Sequence, residues 1–527
     1  MTNDATNTLG LSADAKATAM AWIEEHLVRL TEWHTQIWEF AEPAWREYRS
    51  VDWYVERLRA EGFEVEAGSG GMPTAFSAVW SNGDGPTVLS YAEYDAVPGN
   101  SQAAVTTEQP HEGLSRFAPG HTDPHSALGI STLAGLLATQ HAMRVHGIAG
   151  TLKYTGEPAE KMHGSKVVHG LRGYYDNVDA IVSFHPFYML PLCNTARWDT
   201  QCGAYYSKVY TFTCDSAETW QISADPNSPI PASHSAARAP GANVALMQMY
   251  TASRVMQDAM LPSVGGWSLS DAILSDGQAT ADNLPARVAR IQFSWRTPDL
   301  AMAEHVLAVL DRNARLAAEM AHCGLEERWI ARSRPGRTNH ALAEALYGNL
   351  EQIGAPSYGD SAIAIAQEIQ RNLGMEPMER PFLAETEHLI APQDAERALR
   401  EHMPAWQRNW TSDDYVEMTH YAPTVRFYVS RPALQPDPDR GAYPAWVMNA
   451  LGGMPDTISP TIDVAGKTVA ATFLDLLTNP QLLAAARREF EERSAAEPMP
   501  ALLPTDFEPP IDLPWPDYRG SESQRVW

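Results

Sequence analysis

Four short segments gather residue types suited to metal or acid–base chemistry, and each follows an apolar run. In Tyr91-Ala-Glu-Tyr-Asp-Ala-Val-Pro98, Glu93 and Asp95 either orient a metal-binding imidazole or ligate a cation, or else form a solvated strand end before the turn at Pro98-Gly99. Pro119-Gly-His-Thr-Asp-Pro-His125 places His121, Asp123 and His125 in one loop ahead of a helix. Zinc and manganese accept both ligand types, although the same residues also serve as ordinary loop and capping groups. Gly156-Glu-Pro-Ala-Glu-Lys161 offers a carboxylate as general base for water, or simply an acidic helix start. His185, in Phe184-His-Pro186, is a ligand or a satisfied core residue. Taken together, the four segments are what a metal hydrolase needs to draw distant ligands around one water.

The elements that must hold these segments alternate between strand and helix. Apolar residues at helical spacing over 17–60 predict two helices. Strands are predicted at 63–65, 74–80, 87–91, 151–154 and 180–184, with helices at 126–145 and 165–171 between them. This order predicts an α/β fold with a largely parallel central sheet, whose strand-end loops carry the site. An edge strand at 205–214, helices at 241–260 and 302–320 and a strand at 288–295 predict a second, inserted domain. Helices at 340–353, 361–373, 464–477 and 481–494 and a strand at 424–429 complete the first. The expected divisions are 1–204 and 326–496 for the catalytic domain and 205–325 for the insertion. A Pro-rich tail, 497–527, wraps the surface or joins a neighbouring subunit.

Composition narrows the partners. The 527 residues carry 39 Lys plus Arg against 65 Asp plus Glu, a formal charge of −26, which disfavours nucleic acid and anionic lipid. No apolar stretch approaches bilayer length and the N-terminus lacks a secretory pattern, so a cytoplasmic location is expected. Cys193, Cys202, Cys214 and Cys323 show no CxxC spacing, and reduced thiols are expected.

The motifs resemble those of the M20 metallopeptidase and amidohydrolase family, in the branch of aminobenzoyl-glutamate hydrolase and aminoacylase-like amidohydrolases. Glu93 to Gly99 is similar to that branch's EYDALPG, Gly120 to Gly129 to its GHGCGHNLLG, and Gly156 to Lys161 to its GCPAEE. Arg238 to Met247, Asn283 to Arg290 and Asn339 to Leu350 match in outline. The resemblance implies a catalytic domain with a mixed, mainly parallel sheet flanked by helices, and an inserted α+β, ferredoxin-like lid and dimerisation domain. It implies a metal-dependent amidohydrolase that cleaves the amide C–N bond of a small N-acyl amino acid or aryl-amide with metal-activated water. Glu160 falls at the general base, Asp95 at the acid that orients a ligand, and Asp123, His125 and His185 at metal ligands. His234 and Asn283 fall at lid positions that polarise a substrate carbonyl or bind its carboxylate, His234 being otherwise a surface-loop histidine, while His121 is a metal ligand, a partner of a ligand or a substrate contact; a homodimer or higher homo-oligomer would form through the lid.

Two departures from the family pattern stand out. Lys161 occupies the place of a ligating Glu, and the stretch 446–460 contains no His where the last ligand is usual. Both missing ligands serve the same one of two metals, which implies one divalent ion per subunit, Zn, Mn or Co. Lys161 then either neutralises a developing oxyanion, or swings away, or pairs with Glu157 or Asp95. His420 is a reserve ligand. Two rivals accompany this reading: an aryl-amine aminohydrolase resembling 5-nitroanthranilate aminohydrolase, and a non-catalytic M20-like binding protein. The tryptophans Trp198, Trp220, Trp267 and Trp295 suit an aromatic substrate or a core.

Overall fold

A computed structural model describes residues 2–187, 190–214, 241–261, 263, 265–276, 286–438 and 440–513. The expected His234 and Asn283, together with Trp220, lie outside these residues. Along the chain the strands are β1 (Glu64–Ala67), β2 (Phe76–Ser81), β3 (Thr87–Ala92), β4 (Thr151–Gly156), β5 (Ala180–Phe187), β6 (Thr195–Ala196), β7 (Ala204–Thr213), β8 (Ser268–Asp276), β9 (Val288–Thr297), β10 (Gly324–Ser333) and β11 (Thr424–Ser430). They divide between two compact units, residues 1–201, 336–402 and 414–527 in one and residues 202–335 and 403–413 in the other.

The larger unit holds a seven-stranded sheet in the order β1-β2-β4-β3-β5-β11-β6. Its middle is parallel, with β3 paired to β4 and β5, and β5 to β11, while β1, β2 and β6 run antiparallel to their neighbours. The parallel strands are buried on both faces, as the unbroken apolar runs Val88-Leu89 and Ala180-Ile-Val182 require. Helices Thr2–Phe40, His125–His146 and Pro455–Thr478 pack on one another, and the latter two also pack against the sheet. Close approach explains the small residues between them: a Cβ on Gly135 would stand 2.6 Å from Val469 Cβ. The helix His340–Ile353 starts where the Asn339 side chain accepts from the Leu342 amide. The proline-rich tail returns to this unit, where Phe507 and Ile511 pack on Trp45, Met72, Ala159 and Val168, and Arg172 donates to the Phe507 carbonyl.

The smaller unit is a four-stranded antiparallel sheet in the order β10-β7-β9-β8. Helices Ala242–Met260 and Leu300–Met320 pack on this sheet and on each other, which gives the βαββαβ arrangement of a ferredoxin-like fold. Asp299 caps the second helix by accepting from the Met302 amide. Trp295 is core here, fully buried with Nε1 donating to the Ala303 carbonyl.

Three expectations about elements change. The strand expected at 205–214 is interior and not an edge, because β10 pairs along its outer side. Neither β10 nor β8 shows a clean alternation: Gly-Leu-Glu-Glu-Arg and Ser-Leu-Ser-Asp carry the polar residues that outer strands expose, which masks them as strands. Since β10 pairs with β7, the insertion runs to 335 and recruits 403–413, where the sequence suggested a return at 326.

Candidate metal and catalytic centre

The site is built in the larger unit at the carboxyl ends of adjacent parallel strands. β3 ends at Ala92 and delivers Glu93 and Asp95. β4 ends at Gly156 and delivers Glu157, Glu160 and Lys161, while His185 lies in β5, paired in register with Tyr428 of β11. Asp123 and His125 come from the loop and first turn of the helix His125–His146. Sequence-distant residues thus converge because the sheet is parallel: neighbouring strands end on the same side.

Asp95 organises the cluster with both of its oxygens. Oδ1 accepts from His125 Nδ1 at 2.8 Å, which turns Nε2 toward the other groups, and Oδ2 accepts from the Lys161 backbone N–H at 2.9 Å. A second buried acid, Glu47, accepts from the Ala159 N–H at 2.8 Å. These two bonds pin the turn that presents Glu160 and Lys161, whose flanking residues Ala159 and His163 are held in the left-handed region, φ 55° and 51°.

The Lys161 side chain turns inward. Its ammonium stands 2.8 Å from Asp123 Oδ2, 3.1 Å from Glu160 Oε2 and 3.1 Å from His125 Nε2. Pairing with Asp123 and Glu160 is therefore observed, where the sequence left Glu157 or Asp95 as side-chain partners. Asp95 is reached only through the lysine's backbone, and Glu157 is taken by His169 and Tyr175, each 2.8 Å away. The expected ligands are brought together: Asp123 Oδ2 lies 3.6 Å from His185 Nε2 and 3.9 Å from His125 Nε2, and the two imidazoles meet edge to face with centroids 5.6 Å apart. His125 Nε2 is also 3.4 Å from Glu160 Oε2.

Ligands about 2.1 Å from a tetrahedral ion are separated from one another by about 3.4 Å, so edges of 3.6 and 3.9 Å, with mixed imidazole and carboxylate donors, fit one zinc-like cation. Among the described residues, the tight three-residue groupings in the larger unit are Glu93, His125 and His185, and Asp95, His125 and Glu160; both share His125, and Asp123 belongs to neither. Nothing from 446–460 joins them, nor does His420.

Electrostatics follow from this crowding. Burial and the Lys161 ammonium push the His125 imidazole down, but Asp95 and Glu93 outweigh them and hold it up at about 9. Burial favours neutral Glu160 and Asp123, yet Lys161 and His125 hold both carboxyls well below the usual range. For Lys161, burial is overcome by Asp123 and Glu160, and the ammonium is held well above its ordinary value. His121 is 2% exposed, and burial, with the nearby His125 imidazole, holds it well below the usual imidazole range.

Sequence reasoning missed Lys166, Asp414 and Glu47. Lys166 is fully buried between Glu93 and Asp414, 73 and 248 residues away, and a lysine within Ser-Lys-Val-Val-His-Gly-Leu carries no local sign of this.

No protein-family profile matches the chain. It is 24% identical over 352 residues to a p-aminobenzoyl-glutamate hydrolase subunit from Escherichia coli K12, a match that covers 67% of this chain and 68% of that protein. An aminobenzoyl-glutamate utilization protein from Klebsiella pneumoniae superposes with a TM-score of 0.51 at 14% identity, spanning 85% of this chain and 98% of that one. A Bacillus subtilis dinuclear metal-binding peptidase of the M20 family spans 86% and 99% at 13% identity, with a TM-score of 0.44. The sequence match to the E. coli hydrolase and the fold shared with the Klebsiella protein agree with the M20-like motifs.

Proposed function

We propose that this protein is a metal-dependent amidohydrolase that cleaves the C–N bond of a small N-acyl amino acid or aryl-amide, with one divalent ion held by Asp123, His125 and His185. The observation that carries the reading is the convergence of these three side chains with Glu160 and Lys161, brought together from three separate strand ends and loops. When bound, the ion supplies Lewis acidity, which lowers the pKa of water and polarises a carbonyl. The chain's own groups do the rest. Asp95 fixes the tautomer and orientation of His125. Glu160, kept ionised by Lys161 and His125, takes the proton of the attacking water and returns it to the departing nitrogen. Lys161 directs its ammonium at the oxygen on which negative charge develops, doing the work of a second cation.

The match to a p-aminobenzoyl-glutamate hydrolase supports an aryl-amide bearing a carboxylate as the substrate class. A homo-oligomer through the smaller unit is supported by its exposed apolar side chains, Met247 and Val255 on one helix and Ile273 on outer strand β8. The test is Glu160→Gln, assayed with added Zn, Mn or Co on N-acyl amino acids, aryl-amides and substituted anthranilates. The variant should keep stoichiometric metal and lose about a hundredfold or more in kcat. Unchanged turnover removes Glu160 from the reaction. Release of ammonia with a phenol, in place of an amine with a carboxylic acid, gives the aryl-amine aminohydrolase. Absence of stoichiometric metal and of turnover in the wild type gives the binding protein.

A further inference from the structure

Glu93 lies one residue beyond β3, fully buried, and its two oxygens face different partners. Oε1 accepts from the Lys166 ammonium at 2.6 Å, and the same ammonium reaches Asp414 Oδ1 at 2.5 Å. Oε2 is directed to the other side, 3.5 Å from His125 Nε2. Glu93, His125 and His185 each offer a donor atom within 4.8 Å of the others.

A carboxylate withdrawn from water needs both oxygens matched by positive charge or hydrogen bonds. Lys166 serves one oxygen, and it is shared with Asp414, so the three groups together carry a formal charge of −1. The second oxygen stands 3.5 Å from His125 Nε2, an edge close to the about 3.4 Å expected between ligands of a tetrahedral ion, and a Glu93 oxygen lies within 4.8 Å of a donor atom of His185 as well.

We infer that Glu93 is a fourth protein ligand of the ion, with Lys166 as the positioning residue that holds its carboxylate against the histidines. The inference rests on the metal-dependent reading above and adds a ligand to it.

The experiment compares wild type with Glu93→Gln and Glu93→Asp, each stripped of metal and titrated with Zn2+ against a chelator, then loaded with Co2+ for its visible spectrum. Glu93→Gln should bind Zn2+ about thirtyfold more weakly or worse and change the cobalt bands. Glu93→Asp keeps the charge but withdraws the oxygen, so it should bind with intermediate affinity and shifted bands. A carboxylate that merely supports Lys166 lowers the melting temperature of the metal-free protein and leaves the cobalt spectrum alone, and that result overturns the inference. Where Glu93→Gln does not fold, an unchanged cobalt spectrum in Glu93→Asp overturns it equally. A wild type that takes up no metal defeats the metal-dependent reading itself, which separates the two failures.

Discussion

Replacing Lys161 by Met removes a positive charge from the edge of the proposed ion site and keeps most of the side chain's volume. The ammonium is 2.8 Å from Asp123, and with a metal–oxygen bond of about 2.1 Å the ion stands no farther than about 5 Å from Nζ. Repulsion between a divalent ion and one charge at that separation is about 1.7 kcal/mol even at the dielectric constant of water, and about twice that at half the value. Lys161→Met should therefore bind Zn2+ or Mn2+ roughly fifteenfold more tightly, at least, by chelator competition at fixed ionic strength. Turnover should move the opposite way, falling about a hundredfold as the oxyanion loses its cation. Tighter metal with slower chemistry is a signature that misfolding does not give. Equal or weaker affinity in the variant would refute the placement of the ammonium beside the ion.

Two buried groups set the pH dependence of stability, in opposite directions. Burial pushes the His34 imidazole from 6.5 down to about 4, with Nε2 held by the Gly452 carbonyl. The unfolded chain therefore takes up this proton first, and stability present above pH 6.5 is lost as pH falls toward 4, by about 3 kcal/mol. Urea unfolding of His34→Gln should fall less steeply over that interval, and parallel curves would dismiss His34 as the cause. Burial, reinforced by the charge on Asp95, lifts the Glu47 carboxyl from 4.5 to about 8. Here the folded state keeps the proton longer, so stability declines as pH rises from 4.5 to 8, by up to about 5 kcal/mol. Glu47→Gln should be the more stable protein at pH 8 and converge on wild type near pH 4.5; a variant less stable at both ends would sink this reasoning.

Three of the chemical segments were legible because each is compact and lies at the end of a strand with an unmistakable apolar run, and the fourth, 119–125, because two imidazoles and a carboxylate stand together ahead of a helix. What joins them was not. Whether Lys161 turns in or out depends on bonds from its own turn to Asp95 and Glu47, residues 66 and 112 positions away from their partners. Glu93 could be singled out beside Asp95, yet its pairing with Lys166, which also donates to Asp414, is a product of the tertiary fold and leaves no mark in spacing. In the smaller unit, β8 and β10 were hidden because outer strands need polar residues to remain unpaired by other chains, and those residues erase the period that identifies a strand.

The same accounting of charge bears on why a lysine can stand in the centre at all. Glu93, Asp95, Asp123, Glu160 and Asp414 bring five carboxylates to Lys161, Lys166 and the two imidazoles, so with neutral histidines the formal charge is −3. One divalent ion brings that to −1. A glutamate at 161 would make the charge −5, and two divalent ions would be needed to return it to the same −1. On the proposed one-ion reading, lysine at 161 and a single ion would be compensating features: the ammonium stands at contacts to Asp123 and Glu160 that a second cation would need.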